Sequence, residues 1–196
     1  PGMNQATYII VLHQLLFQGS FVAKNVLLRK QLGQPISGAN REANRSIAFF
    51  ALFIALSLYL AATESPLGRV ALLPNSVATS ACLVLLCANL WVGLASLRDL
   101  GDSWRVGVID EQHTTLVQEG IYRYTRNPYF VAYLLMFAAY TVLLQNLVLA
   151  LLSCLGAYLI HGMILREEDH LARTQGEAYR AYCRRVPRYL PIRSGS

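Results

Sequence analysis

The sequence predicts an all-α integral membrane protein of about five transmembrane helices, with a tight C-terminal helical hairpin and a cytoplasmic tail helix. Three observations predict it. Of its 196 residues 55% are hydrophobic and only 14% charged, against roughly 25% charged in a soluble domain. Apolar runs recur at close to the roughly 20 residues that a spanning helix needs. Lys and Arg gather in alternate connections, as the positive-inside rule requires.

The first run, 8–28, is interrupted by His13, Gln14, Gln18 and Lys24. Their near-helical spacing directs them toward the bundle interior, and Lys24 can snorkel to the interface. The second and third runs are 46–62 and 76–97. The fourth, 128–145, opens on Pro128, which suits a first helical turn. The fifth, 146–165, follows after only Gln145-Asn146, so the two form an antiparallel hairpin. From 166 to 185 a tail helix leaves the membrane. Leu171, Ala172, Ala178, Tyr179 and Tyr182 are expected on one partly apolar face, and Pro187 and Pro191 end it.

Arg29, Lys30, Arg41 and Arg45 lie after the first run. Arg98, Arg105, Arg123 and Arg126 lie before the fourth, and seven further arginines lie in the tail. The connection 63–75 holds only Arg69. The C-terminus is therefore expected inside, with the long polar loop 98–127 and the tail on one cytoplasmic face of the cell's inner (plasma) membrane. Residues 1–97 form an N-terminal three-helix region, and 98–196 hold the loop, hairpin and tail.

The formal charge of +6 does not form one basic face, which excludes a nucleic-acid partner. Cys82, Cys87, Cys154 and Cys183 form no C-x-x-C pair, and no His completes a metal site; they read as small buried hydrophobes. Pro1-Gly2 and Ser194-Gly195-Ser196 read as appended residues, and no removed signal peptide is expected.

Loop 98–127 is too long for a mere connector. Gly120 permits a tight turn or close backbone approach to a ligand. N–H groups at the start of the fourth helix, beside Arg126, suit a carboxylate. Tyr122 and Tyr124 offer flat faces with polar tips. Glu167 and Glu168 return to the same face, where a carboxylate accepts hydrogen bonds from a ribose or an ammonium. Together these features suit a zwitterionic, partly aromatic cofactor at the membrane surface.

Leu116-Val117-x-x-Gly120-x-Tyr122-x-x-x-Arg126-Asn127-Pro128 resembles the signature of the isoprenylcysteine carboxyl methyltransferase and phospholipid methyltransferase superfamily. Glu167-Glu168, then Gly176-Glu177-x-Tyr179-x-x-Tyr182-x-x-Arg185-Val186-Pro187 and Leu190-Pro191, is similar to its C-terminal part. The resemblance covers roughly 97–191. It implies methyl transfer from S-adenosyl-L-methionine to a hydrophobic small-molecule or lipid acceptor drawn from the membrane. It carries cofactor contacts onto Thr114, Thr115, Leu116, Val117, Tyr122, Asn127, Pro128, Tyr129, Phe130 and Glu167, with Gly120 at the turn. Arg126 and Glu168 are the catalytic candidates. Asn127 stands where the family often has His. Met163 stands where eukaryotic carboxyl methyltransferases place a substrate-binding Arg, four residues before Glu167, so Arg105 or Arg166 is the candidate replacement. Trp104 and Tyr124 read as interfacial aromatics, Tyr179 and Tyr182 as packing of the tail against the loop, His113 as a solvated loop residue and His161 as a hydrogen-bonder within the bundle. A nicotinamide-dependent membrane reductase of sterol-reductase type and a non-enzymatic membrane module are the rival readings.

Overall fold

A computed structural model describes residues 2–32, 41–101 and 116–189. Its helices are α1 (Gln5–Leu32), α2 (Arg41–Thr63), α3 (Asn75–Leu100), α4 (Pro128–Leu144), α5 (Leu147–Thr174) and α6 (Gly176–Arg185), with a short 3-10 helix at Gly120–Arg123. No strand occurs among the described residues. Helices α1, α2, α3 and α5 are long and apolar enough to cross a membrane. The 17 residues of α4 rise about 25 Å, at the short end of the spanning range.

Most helices outrun their apolar stretches, because backbone hydrogen bonding continues where side-chain hydrophobicity stops. The tail corrects the expectation of one helix from 166 to 185. α5 runs unbroken to Thr174, and the chain then turns at Gly176, whose φ of +56° is the left-handed region that glycine enters freely. This turn rotates α6 relative to α5. Tyr179 and Tyr182 are buried against Leu171, Ala172 and Leu116, whereas Ala178, expected on that face, is exposed. Cys87 and Cys154 are also exposed, and only Cys82 is fully buried; an apolar run in a bilayer has outward positions as well as a core.

The hairpin turn is clamped. Gln145 adopts a left-handed backbone, and Asn146 caps α5 by accepting the Leu149 N–H at 3.1 Å. The Gln145 side chain accepts from Leu73 N–H at 2.6 Å and donates to Leu73 C=O at 2.9 Å, while Arg69 and Asn146 form an antiparallel bridge. At the same end Asn4 donates to Ala61 C=O and Glu64. The N-terminus, the α2–α3 connection and the hairpin turn therefore share one end of the bundle.

Inside the bundle a hydrogen-bonded chain links α1, α3 and α4. Asn89 Nδ2 donates to Ala132 C=O at 2.6 Å, which turns Asn89 Oδ1 toward His13 Nε2 at 2.8 Å. That makes Nε2 the donor and leaves Nδ1 to accept from Tyr140 OH at 2.7 Å. Tyr140 oxygen in turn accepts from Gln14 Nε2 at 2.7 Å. His13, Asn89 and Tyr140 are buried. Gln18 bonds Tyr133, so three of the polar interruptions in α1 do face inward.

Candidate functional site

The site lies at the other end, where α3 stops, α4 starts and α5 emerges. Gly120 has φ +58°, and a Cβ there would collide with the Asp99 carboxylate. Asp99 holds the turn in place: its Oδ2 accepts Ile121 N–H at 2.8 Å. The 3-10 helix then buries Tyr122, whose OH pairs with Ser96 Oγ at 3.0 Å and whose C=O accepts from Tyr182 OH at 2.7 Å. Burial pushes the Tyr122 phenol well above its ordinary range, and the nearby Glu167 charge acts in the same direction. Tyr122 therefore stays a neutral hydroxyl. Burial likewise pushes the Tyr182 phenol up to about 12.

Glu168 is the hub of the next layer. Its Oε1 accepts from Arg126 Nη2 at 2.9 Å, Arg126 Nε at 3.2 Å and Asn127 Nδ2 at 3.3 Å. Its Oε2 accepts from Arg188 Nη2 at 2.8 Å and Nε at 3.0 Å. The Arg126 and Glu168 side chains are only 9% and 11% exposed. Both carboxylate oxygens are thus committed to charge-assisted bonds.

The segment after α6 straps this layer down. Arg126 Nη1 donates to Val186 C=O at 2.8 Å and Cys183 C=O at 3.1 Å, and Arg126 N–H donates to Pro187 C=O at 3.0 Å. Thr125 Oγ1 and Asn127 Nδ2 both donate to Arg188 C=O, each at 3.1 Å. His161 Nδ1 pairs with Tyr189 OH at 2.7 Å, so the partner of His161 is the strap rather than a bundle helix.

Glu167 is different from its neighbour. Its surface is accessible, and among the described residues it has no hydrogen bond or ion pair, yet the crowding around it, with the Glu168 charge adding to it, pushes its carboxyl up to about 7. A carboxylate left open beside a buried tyrosine can accept hydrogen bonds from ribose hydroxyls or an ammonium group. That donor–acceptor chemistry fits the polar parts of an adenosyl amino acid.

The structure brings Tyr122, Arg126, Asn127, Glu167 and Glu168 to one end of the bundle. Pro128 is buried in the first turn of α4. Leu116 packs against the Tyr179–Tyr182 cluster and Val117 against the main core. Phe130 packs against the core, and Tyr129 stacks on Phe21 of α1 with ring centres 5.8 Å apart. Met163 is half-buried and Arg166 exposed on α5. Arg105, Thr114 and Thr115, with Trp104, His113 and Pro191, lie outside the described residues. No group of three or more His, Cys, Asp or Glu side chains suited to a metal occurs among the described residues.

Ser96, Asp99, Thr125 and Arg188 were not anticipated. Arg188 looked like one tail arginine among seven, and Asp99 like a helix-end charge. Only the fold reveals their partners, 20 or more positions away.

A family model described as "Phospholipid methyltransferase" matches residues 77–178. Protein-S-isoprenylcysteine O-methyltransferase of Schizosaccharomyces pombe (strain 972 / ATCC 24843) is 28% identical over 120 residues, 60% of this chain and 51% of the relative. The chain thus spans about half the length of that curated relative.

Proposed function

We propose, because the chain belongs to the phospholipid methyltransferase family, that it transfers a methyl group from S-adenosyl-L-methionine to a lipid-like or prenylcysteine-like acceptor. The site would face the cytoplasm at the cell's inner membrane, since the basic connections lie at that end of the bundle. The observation that carries this reading is the pairing of an open carboxylate, Glu167, with the buried Tyr122 inside the stretch that matches the family.

The sulfonium cofactor supplies an activated methyl group, which leaves positioning to the protein. Glu167 would accept hydrogen bonds from the cofactor's ribose or ammonium. Asn127 and Arg126 fix the start of α4 through Glu168. Tyr122 holds the loop in contact with α3 and α6. With both oxygens occupied, Glu168 acts as an anchor and not as a general base. A carboxylate acceptor would need no base, whereas an amine or thiol would have to lose a proton. Residues 1–97 and 98–196 would divide the work between bundle wall and cofactor site.

The test is radiolabelled methyl transfer from S-adenosyl-L-methionine into a lipid extract, with the labelled species identified. Calorimetry in detergent gives the earlier decision. Absence of binding by both S-adenosyl-L-methionine and its demethylated product would remove the proposal.

A further inference from the structure

A second feature lies on the outward side of α3. A groove of about 430 Å³ is formed by Trp91, Leu94, Ala95, Arg98, Asp99, Gly120, Ile121, Arg123 and Tyr124. Glu167 and Glu168 do not line it. Its two parts differ in chemistry. Trp91, Leu94, Ala95 and Arg98 follow the i, i+3, i+4, i+7 rule and share one helix face. Trp91 is 66% and Leu94 50% exposed, on a helix long and apolar enough to cross a membrane, so in a bilayer they would face acyl chains.

The rim is cationic. Among the described lining residues Asp99 is the one acid, and both its oxygens are used, by Arg98 Nε at 2.7 Å and Ile121 N–H at 2.8 Å. The terminal nitrogens of Arg98 have no partner among the described residues, and its side chain is 79% exposed. Arg123 is exposed and makes no hydrogen bond or ion pair among the described residues. Tyr124, 63% exposed, adds a hydroxyl beside it.

We infer that this groove binds one anionic phospholipid of the surrounding bilayer, its phosphate between Arg98 and Arg123 and an acyl chain along Trp91 and Leu94. Charge complementarity selects the headgroup, since the described lining carries two guanidinium groups against one already paired carboxylate. The apolar wall selects a lipid over a free phosphate. A lipid seated here contacts the same 3-10 turn that presents Tyr122, so headgroup composition would bear on the site behind it. The inference needs only that the chain spans a bilayer and stands or falls apart from the methyl-transfer reading.

Trp91 is its own reporter once Trp104, the second of two tryptophans, is changed to Phe. The protein is placed in phosphatidylcholine nanodiscs with rising fractions of phosphatidylglycerol carrying brominated chains. Trp91 quenching should saturate at a phosphatidylglycerol fraction far below that expected for random contact. Arg123→Gln should raise the half-saturating fraction about fivefold, and Arg98→Gln with Arg123→Gln further, on the scale of one surface arginine against anionic lipid. Arg123→Lys should restore most of it. Glycerol phosphate in the buffer should not compete. Quenching proportional to bulk lipid fraction, insensitivity to the arginines, or equal competition by glycerol phosphate would each overturn the inference. The titration of the Trp104→Phe protein with both arginines intact decides it if an arginine variant fails to fold. Native mass spectrometry of the unaltered protein decides it if Trp104→Phe fails, with one retained phosphatidylglycerol expected and none overturning it.

Discussion

Arg188 donates two hydrogen bonds to one oxygen of Glu168, leaving the other oxygen to Arg126 and Asn127. One half-buried carboxylate thereby ties the start of α4, the emerging α5 and the strap after α6 into a single unit.

Removing that charge should cost stability. Glu168→Gln leaves the nearly buried Arg126 without a counter-charge, and breaking a buried pair costs about 3 kcal/mol or more. Thermal unfolding in detergent should show a clearly lowered midpoint. A midpoint equal to the parent's would mean that the ion pair is not held in solution.

Glu167→Gln should behave in the opposite way. The side chain has no hydrogen bond or ion pair among the described residues, and its carboxyl is pushed up to about 7 by crowding and the Glu168 charge. The midpoint should therefore not fall, and above neutral pH, where the parent must hold the charge, it should rise slightly. Affinity for S-adenosyl-L-methionine should drop about tenfold or more, the scale of one charge-assisted hydrogen bond. Calorimetry and melting on the same preparation separate the two glutamates; unchanged affinity would take Glu167 out of the site.

Arg188→Ala should loosen the strap without touching the bundle. Its side chain is 35% exposed, so the loss is smaller, about 1–2 kcal/mol. Limited proteolysis should find new cleavage after 185, slowed again by Arg188→Lys.

Gly120→Ala should disable the 3-10 turn. It combines a left-handed φ with a Cβ driven into Asp99, and the conformational part alone costs about 1 kcal/mol or more. Tyr122 should then become accessible to ultraviolet difference spectroscopy under alkaline titration, ionising at lower pH than in the parent. An unchanged titration curve would mean that the turn tolerates the substitution.

His13→Ala and Asn89→Ala remove adjacent links of one chain of hydrogen bonds. Each should lower stability by about 1 kcal/mol, and the double variant by less than the sum. Strict additivity would show that the bonds are independent.

Helix-forming runs, the hairpin, the turn at Gly120 and Pro128 at the start of α4 were legible, because they follow from local hydrophobicity and backbone sterics. The tail shows where legibility stopped. The turn at Gly176 needed only one glycine, a residue that helices also accommodate. Which of Glu167 and Glu168 pairs with Arg126 was not readable either. Consecutive helical residues point about 100° apart, and which one meets Arg126 depends on how α5 is rotated by packing. Arg188 was hidden for a similar reason: nothing nearby in the chain distinguishes an arginine that reaches back 20 residues from one that meets water.

The strap also orders events in the life of the molecule. Thr125, Arg126 and Asn127 are held by carbonyls of Cys183, Val186, Pro187 and Arg188, which are synthesised about 60 residues after them. Helices laid into the bilayer during synthesis can pack before the strap exists, but a chain that stops short of Arg188 lacks the full set of bonds around Glu168. A chain cut before Cys183 should insert and still leave Arg126 without its backbone partners, so completion of this layer is tied to synthesis beyond α6.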